Sequence, residues 1–340
     1  MREALHYKQQ GPNVACSLCP KNCTIAEGRT GFCRVRRNTG GKLYSLNYAQ
    51  ATAQALDPIE KKPLYHFYPG STILSLGTWG CNFACQFCQN WHIAQDQPPT
   101  ALLEPQAAAA LASRLVSRGN IGIAYTYSEP SVWYEYILDT AQLVRAAGLT
   151  NVLVSNGFIN EQPLADLLPF IDAMNIDVKA FNNEYYQKVC AGQLEHVKHT
   201  VEQAAKKCHI EITTLLVPGL NDSETEIAEM AKWLSGINAD IPLHFSRYFP
   251  NYKMDVPPTP ISTLQLAHKT ARKYLKYVYI GNVGGDGTNT YCPACGYKVI
   301  DRIGGYSRLT TPDNADCFEK YCPQCGRSIY ITGDIRFSDG

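Results

Sequence analysis

Three cysteines spaced Cys81-x3-Cys85-x2-Cys88 carry the densest chemical signal in the chain. They fall in GTWGCNFACQFCQNW, directly after the apolar run TILSLG, so a strand hands over to a loop bearing three thiols. Three thiolates on so short a loop can wrap one metal centre. The count is informative, because a cubane with three cysteine ligands leaves one iron open to a non-protein ligand, whereas electron-transfer clusters usually carry four. An open iron implies chemistry at that iron. The competing reading is a zinc knuckle or a set of buried thiols, for which His92 is the one fitting fourth ligand nearby.

The chain has fourteen cysteines, and two further groups flank the central one. Near the C-terminus, Cys292-Pro-Ala-Cys295-Gly and Cys322-Pro-Gln-Cys325-Gly form two matching knuckles, the pattern of a zinc ribbon. Four thiolates meet tetrahedral Zn2+ with no open position, so this site is expected to be structural; a rubredoxin-like iron site is the alternative. Near the N-terminus, Cys16-x2-Cys19-Pro-x2-Cys23-x9-Cys33, followed by Arg34, Arg36 and Arg37, offers four more ligands at irregular spacing. Zinc there would brace the fold and is favoured, while an iron-sulfur cluster could pass electrons to the central one. Cys190, Cys208 and Cys317 are read as ordinary buried thiols, Cys317 lying near the ribbon.

The elements that must position these groups follow from periodicity. From residue 72 onward, short β-rich runs alternate with longer amphipathic stretches, the pattern of β-α units and a parallel sheet. Six strands are expected, at 72–77, 121–127, 151–157, 173–179, 210–219 and 241–248. Helices are expected between them, among them 104–119, 131–148 with Gly148 as its C-cap, and 223–236, opened by a capping box of Ser223 and Glu226. A last helix-strand pair, ISTLQLAHKTARKYL then YVYIGNV, closes the core near 283, and NYKMDVPPTP reads as a loop or lid. Six such units fit a partial (β/α)6 TIM-like barrel whose chemistry gathers at the C-terminal strand ends, with a flat doubly wound sheet as runner-up.

Composition sets the outer limits. At 340 residues and 45% hydrophobic, the chain can bury a full core with small appendages. The expected division is an N-terminal Cys-rich extension at 1–70, a catalytic core at 71–285 and a zinc ribbon at 286–340. No run approaches the ~20 apolar residues that span a bilayer, and the start MREALHYKQQ lacks a signal-peptide core, so a cytoplasmic location is expected. A net charge of +1 supplies no global field for a polyanion, so nucleic acid is not an expected partner.

The motif C-x3-C-x2-C with an aromatic before its last cysteine, here Phe87, resembles the signature of radical S-adenosylmethionine (SAM) enzymes. With DPIEKKPLYHFYPGS at 57–71 and GCNFACQFCQNW at 80–91, the chain is similar to the AmmeMemoRadiSam system radical SAM enzymes, a branch related to the pyruvate formate-lyase activating enzymes. The resemblance runs from about Cys16 to Cys325. It implies a [4Fe-4S] cluster on Cys81, Cys85 and Cys88 whose open iron is chelated by SAM. An electron from a low-potential donor such as flavodoxin or ferredoxin then yields methionine and a 5′-deoxyadenosyl radical that takes hydrogen from substrate.

The same resemblance names cofactor contacts. The family's Gly-Gly-Glu-Pro stretch is matched by Tyr127, Ser128, Glu129 and Pro130, which keeps the glutamate for the SAM ammonium and loses the glycines. Glu129 could equally be a carboxylate at a helix N-terminus. Asn156 and Lys179 match the cofactor-contacting ends of the third and fourth strands, Lys179 for the SAM carboxylate, although a polar strand end such as Ser155-Asn156-Gly157 is also an ordinary turn. The turn Val217-Pro218-Gly219 is placed near the adenosine, and His244 and Arg247 are placed where they could face the mouth, His244 being as readily a core histidine.

For the target, the resemblance suggests either activation of a glycyl-radical enzyme or work alongside Memo-like and AMMECR-type proteins on a small molecule or protein. The contrasting class is a non-catalytic metal-binding or nucleic-acid-binding module built on the outer cysteine groups.

Overall fold

The computed structural model describes residues 1–303, 306–310 and 320–335. Its centre is an eight-stranded sheet. Strand β1 (Ala53–Pro58) runs antiparallel to β2 (Thr72–Gly77) at one edge. From β2 the sheet continues in parallel through β3 (Asn120–Tyr125), β4 (Thr150–Ser155), β5 (Ala173–Asp177), β6 (His209–Leu216), β7 (Leu243–Arg247) and β8 (Val278–Gly281). Strand order therefore follows chain order from edge to edge. A doubly wound sheet reverses direction at a switch point, so that alternative is excluded.

Each parallel step is bridged by a helix: α1 (Pro105–Arg114), α2 (Tyr134–Ala146), α3 (Glu161–Leu167), α4 (Leu194–Ala204), α5 (Glu224–Asn238) and α6 (Ile261–Ala271). Every residue of β3 is buried, as expected for a strand covered on both faces, and the six expected strands and the last helix-strand pair all form. Gly148 follows α2 in the left-handed region at φ 73°, where a side chain would be strained. The capping box of α5 is half made. Ser223 Oγ accepts from Glu226 N at 3.2 Å, but the Glu226 carboxylate turns outward to accept from Phe181 N and Asn182 Nδ2, tying the loop after β5 to α5.

Periodicity did not flag β1, because AQALDP alternates poorly, and its pairing brings chain from the first seventy residues into the central sheet. The N-terminal segment also forms two small antiparallel sheets, one of Arg2–Glu3, Lys42–Ser45 and Arg36–Thr39, the other of Tyr7–Gln10, Asn13–Cys16 and Thr24–Ile25, and its Gln50–Ala51 pairs antiparallel with Ala101–Leu102. The C-terminal segment carries strands Thr290–Tyr291, Lys298–Ile303 and Tyr306–Leu309.

A buried polar layer joins that segment to the sheet. Glu211 of β6, with no exposed surface, accepts from His209 Nε2, His66 N and Tyr65 N, and contacts His244 Nε2 at 2.7 Å. Arg302 donates to Tyr65 O, and Thr332 N to His66 O. Four partners satisfy both carboxylate oxygens, which is how an interior charge is tolerated. His244 thus sits in the core rather than at the mouth, stacked on Tyr279. Among the described residues, no helix is long and apolar enough to cross a membrane.

Candidate active site

The chain leaves β2 at Gly77 and enters the cysteine loop, which is held by backbone pairing rather than by regular structure. Ala84 N donates to Cys190 O at 2.9 Å and Gln86 N to Val189 O at 3.0 Å, so the loop lies against the π-helical turn Tyr186–Cys190. Lys253 N donates to Gln86 O, and Tyr252 stacks on Trp91 with ring centroids 5.3 Å apart, latching the 251–260 loop onto the same segment. Cys190, read as an ordinary thiol, is fully buried and packs beside Cys85.

Cys81, Cys85 and Cys88 all face one cavity of ≈ 260 Å³ at the C-terminal ends of the parallel strands. Phe87, Glu129, Asn156 and Lys179 line the same cavity. The four contacts named from sequence therefore converge with the three thiols, although they lie on the ends of β2, β3, β4 and β5. Burial, with the carboxylate of Glu129 next, raises the Cys81 thiol well above its ordinary value; the neighbouring Cys190 thiol, with burial, does the same to Cys85. Burial also pushes Cys88 up to about 11. Thiols in such surroundings become thiolates when a cationic centre compensates them, which is the donor set an iron-sulfur cluster requires. Phe83 N donates to Cys81 Sγ at 3.3 Å, and Asn156 Nδ2 lies 3.8 Å from the same sulfur.

Glu129 fulfils both readings. It caps the short 3-10 turn Pro130–Trp133, Oε1 accepting from Ser131 N at 2.9 Å, and it also borders the cavity. Ser155 Oγ and Asn156 N donate to it at 2.8 Å each. Burial still leaves its carboxyl above the ordinary range, since desolvation outweighs these donors. A ligand cation in the cavity would relieve that cost. Two residues before Glu129, Tyr127 sits at φ 72°, where a side chain is disfavoured, fixed by Tyr127 Oη donating to Asp57 and Asn90 Nδ2 donating to Tyr127 O. Lys62 pairs with Asp57 at 2.8 Å and lies over the Tyr127 ring.

Lys179 pairs with Asp177 at 2.6 Å. Burial opposes its charge, yet Asp177 holds the ammonium protonated well above its ordinary value. Asn221 Nδ2 donates to Lys179 O at 2.7 Å and Asn221 Oδ1 accepts from Val217 N, so the Val217-Pro218-Gly219 turn braces the lysine's backbone rather than lining the cavity. Arg247 is likewise outside the lining; its Nε donates to Thr259 O and it lies over Phe249. Asp177 lines the cavity with Lys179 at the end of β5, and Thr213, Ser246 and Asn282 line it without having been anticipated. Their signal was position at a strand end, which is weak without the three-dimensional register.

A model of the radical SAM superfamily matches residues 76–233. A Methanocaldococcus jannaschii protein, named as uncharacterised, is 44% identical over 340 residues, covering 97% of this chain and 99% of its own. The chain belongs to the radical SAM superfamily. It is related at 26% identity over 216 residues, 60% of this chain and 79% of the other, to a second protein of that organism provisionally named a glycyl-radical enzyme activating enzyme. Among solved structures, Streptococcus suis SuiB bound to S-adenosylmethionine superposes with a TM-score of 0.51 at 10% identity, over 67% of this chain and 58% of that one. A radical SAM methyltransferase from Sphaerobacter thermophilus gives 0.50 at 14% identity, over 63% and 67%. The protein is thus an enzyme of the radical SAM class, with an α/β fold built on a mostly parallel sheet.

The C-terminal thiols have a different geometry. The Sγ atoms of Cys292, Cys295, Cys322 and Cys325 all lie within 4.8 Å of one another, with Cys292 to Cys325 at 3.6 Å and Cys295 to Cys322 at 3.5 Å. A tetrahedral ion with bonds of about 2.3 Å puts its sulfurs about 3.8 Å apart, so the four thiols fit one ion. Against its own burial, the N–H groups of Cys295 and Ala294 hold Cys292 down to about 7. Cys317 lies outside the described residues.

Proposed function

We propose that the protein cleaves SAM at a [4Fe-4S] cluster held by Cys81, Cys85 and Cys88. The observation that carries this reading is the convergence of three thiols, and no fourth cysteine ligand on the loop, with Glu129, Asn156 and Lys179 around one cavity at the strand ends. When bound, cluster and SAM supply a one-electron cleavage to methionine and a 5′-deoxyadenosyl radical that abstracts hydrogen from substrate. The chain's own part is to bind and orient. Glu129 accepts the SAM ammonium, Lys179 faces its carboxylate, and Phe87 and Asn156 shape the wall between them. The Trp91–Tyr252 stack holds the 251–260 loop against the cysteine loop.

Around this centre the strands curl as a partial barrel, with residues 1–70 and 286–340 as flanking units, and the C-terminal thiols hold zinc. The electron arrives from flavodoxin or ferredoxin. For the target, the relationship to the provisionally named activating enzyme favours a glycine on a partner protein as one candidate; Memo-like and AMMECR-type partners are the other. Anaerobic reconstitution with iron and sulfide, then dithionite and SAM, is expected to yield 5′-deoxyadenosine. No product from a sample with full iron content would reject the proposal.

A further inference from the structure

The N-terminal cysteines differ from the C-terminal set in a way that bears on their metal. Cys16, Cys19, Cys23 and Cys33 line one small pocket, walled by Leu18, Ile25, Phe32, Val132 and Arg36. Its construction is local and close. Cys16 N donates to Cys23 O at 2.9 Å across the paired strands, and a Cβ on Gly31 would stand 3.5 Å from Cys23 Sγ and 3.1 Å from Ile25. Among the described residues, however, the C-terminal four are the one set of three or more candidate ligands whose atoms all lie within 4.8 Å of one another. The N-terminal thiols share one pocket without converging on a point, and that wider spacing suits a polynuclear centre better than a single tetrahedral ion.

Two donors already aim at their sulfurs. Phe32 N donates to Cys23 Sγ at 3.5 Å, and Arg36 Nη1 to Cys16 Sγ at 3.7 Å, Arg36 being buried and paired with Glu135. Hydrogen bonds to ligand sulfur are a lever on the potential of an iron-sulfur cluster. The site also abuts the active one. Gly80, the residue before Cys81, has φ 90°, and a Cβ there would stand 2.8 Å from Cys33 O and 2.5 Å from Val35 Cγ1. The backbone of Cys33, in the N-terminal set, therefore lies against that of Gly80, the residue before Cys81. Lys21 stands within electrostatic reach of Cys19, Cys23 and Cys81 alike.

We infer that Cys16, Cys19, Cys23 and Cys33 hold a second [4Fe-4S] cluster, which relays electrons to the centre at Cys81, Cys85 and Cys88. The relay rests on the proposed SAM cleavage, whereas the cluster itself does not. The step balances as one electron in from a reduced low-potential flavin or iron-sulfur carrier and the same electron out to the central site, with no atom transferred. Entry is on the outer face, where Phe32 is 37% exposed and Cys19 and Cys23 are half-buried. This reverses the expectation of zinc at these four residues.

The test is a metal and labile-sulfide count with electron paramagnetic resonance on the full-length chain, reconstituted anaerobically. About eight iron and eight sulfide are expected in the unchanged protein, and about four of each in the Cys81→Ala/Cys85→Ala/Cys88→Ala variant, with a reduced-cluster signal surviving. About four iron in the unchanged protein, or zinc in place of iron in the triple variant, would overturn the inference. About eight iron and eight sulfide in the unchanged protein, with no 5′-deoxyadenosine formed from dithionite and SAM, would instead leave the second cluster standing and count against the proposed SAM chemistry. Should the triple variant not fold, Cys19→Ala/Cys23→Ala serves. It is expected to keep the central signal and dithionite-driven cleavage while flavodoxin-driven cleavage falls at least tenfold; an unchanged flavodoxin-driven rate overturns the relay.

Discussion

The cavity thiols and the C-terminal thiols are both cysteine sites, yet they are built on opposite principles. Cys81, Cys85 and Cys88 are spread around the wall of an open cavity that also holds a buried carboxylate and a half-buried ammonium. Cys292, Cys295, Cys322 and Cys325 converge within 4.8 Å, enough thiols to complete the four-coordinate shell of one ion. An open centre can bind a reactant, while a closed one can only hold chain together. Within one molecule, then, the arrangement of thiols separates chemistry from support more sharply than their number does.

That contrast can be broken in four ways. The largest effect is expected from Cys85→Ala, which should reduce SAM cleavage to background while far-UV circular dichroism and the melting temperature stay near those of the unchanged protein. Cys295→Ala should do the reverse. Its melting temperature is expected to fall on the order of 5–10 °C, with cleavage per folded molecule retained. Equal stability losses in both variants would erase the distinction between catalytic and structural sites. Smaller effects are expected at the cavity wall: Glu129→Gln keeps a hydrogen-bond acceptor but removes the charge, so KM for SAM should rise about 10- to 100-fold with the cluster signal intact. An unchanged KM would place Glu129 in its capping role alone.

The smallest effect concerns the buried layer that joins the C-terminal segment to the sheet. Burial lowers His66 from 6.5 to about 3, so between those values the unfolded chain takes up a proton that the folded chain refuses. Stability is therefore expected to fall as pH drops through that window, with a slope contribution approaching about 1.4 kcal/mol per pH unit. Urea titrations from pH 7 to 4 should show this slope in the unchanged protein and a shallower one in His66→Gln. Equal slopes would remove His66 from the coupling between the sheet and the closed site.

Much of this was legible in the residues. The six strands and the cysteine loop followed from periodicity and spacing, because a parallel strand buried on both faces leaves an apolar run that polar or Gly/Pro residues terminate. Glu129, Asn156 and Lys179 were reachable through the family resemblance, helped by their places after successive parallel strands, whose C-terminal ends gather at one end of the sheet. What escaped depended on distant pairing. Strand β1 is defined by its partner β2 and not by its own pattern. The clasp of Asp57, Lys62 and Tyr127 joins residues up to seventy positions apart, and nothing in DPIEKK announces a hydrogen bond to a tyrosine after β3. Asn221 lies in a turn that looks like a ligand contact, yet its amide serves the backbone of Lys179. The N-terminal thiols were visible as ligands, but their contact with Gly80 required the fold.

The central claim is that the iron left open by Cys81, Cys85 and Cys88 binds SAM directly. Electron-nuclear double resonance on the reduced protein, with SAM carrying 15N in its amino group and 17O in its carboxylate, tests it. Coupling of both nuclei to the cluster is expected, and both couplings should vanish in Cys81→Ala. A fully reduced cluster showing neither coupling with saturating SAM would mean a closed centre, and would contradict the account.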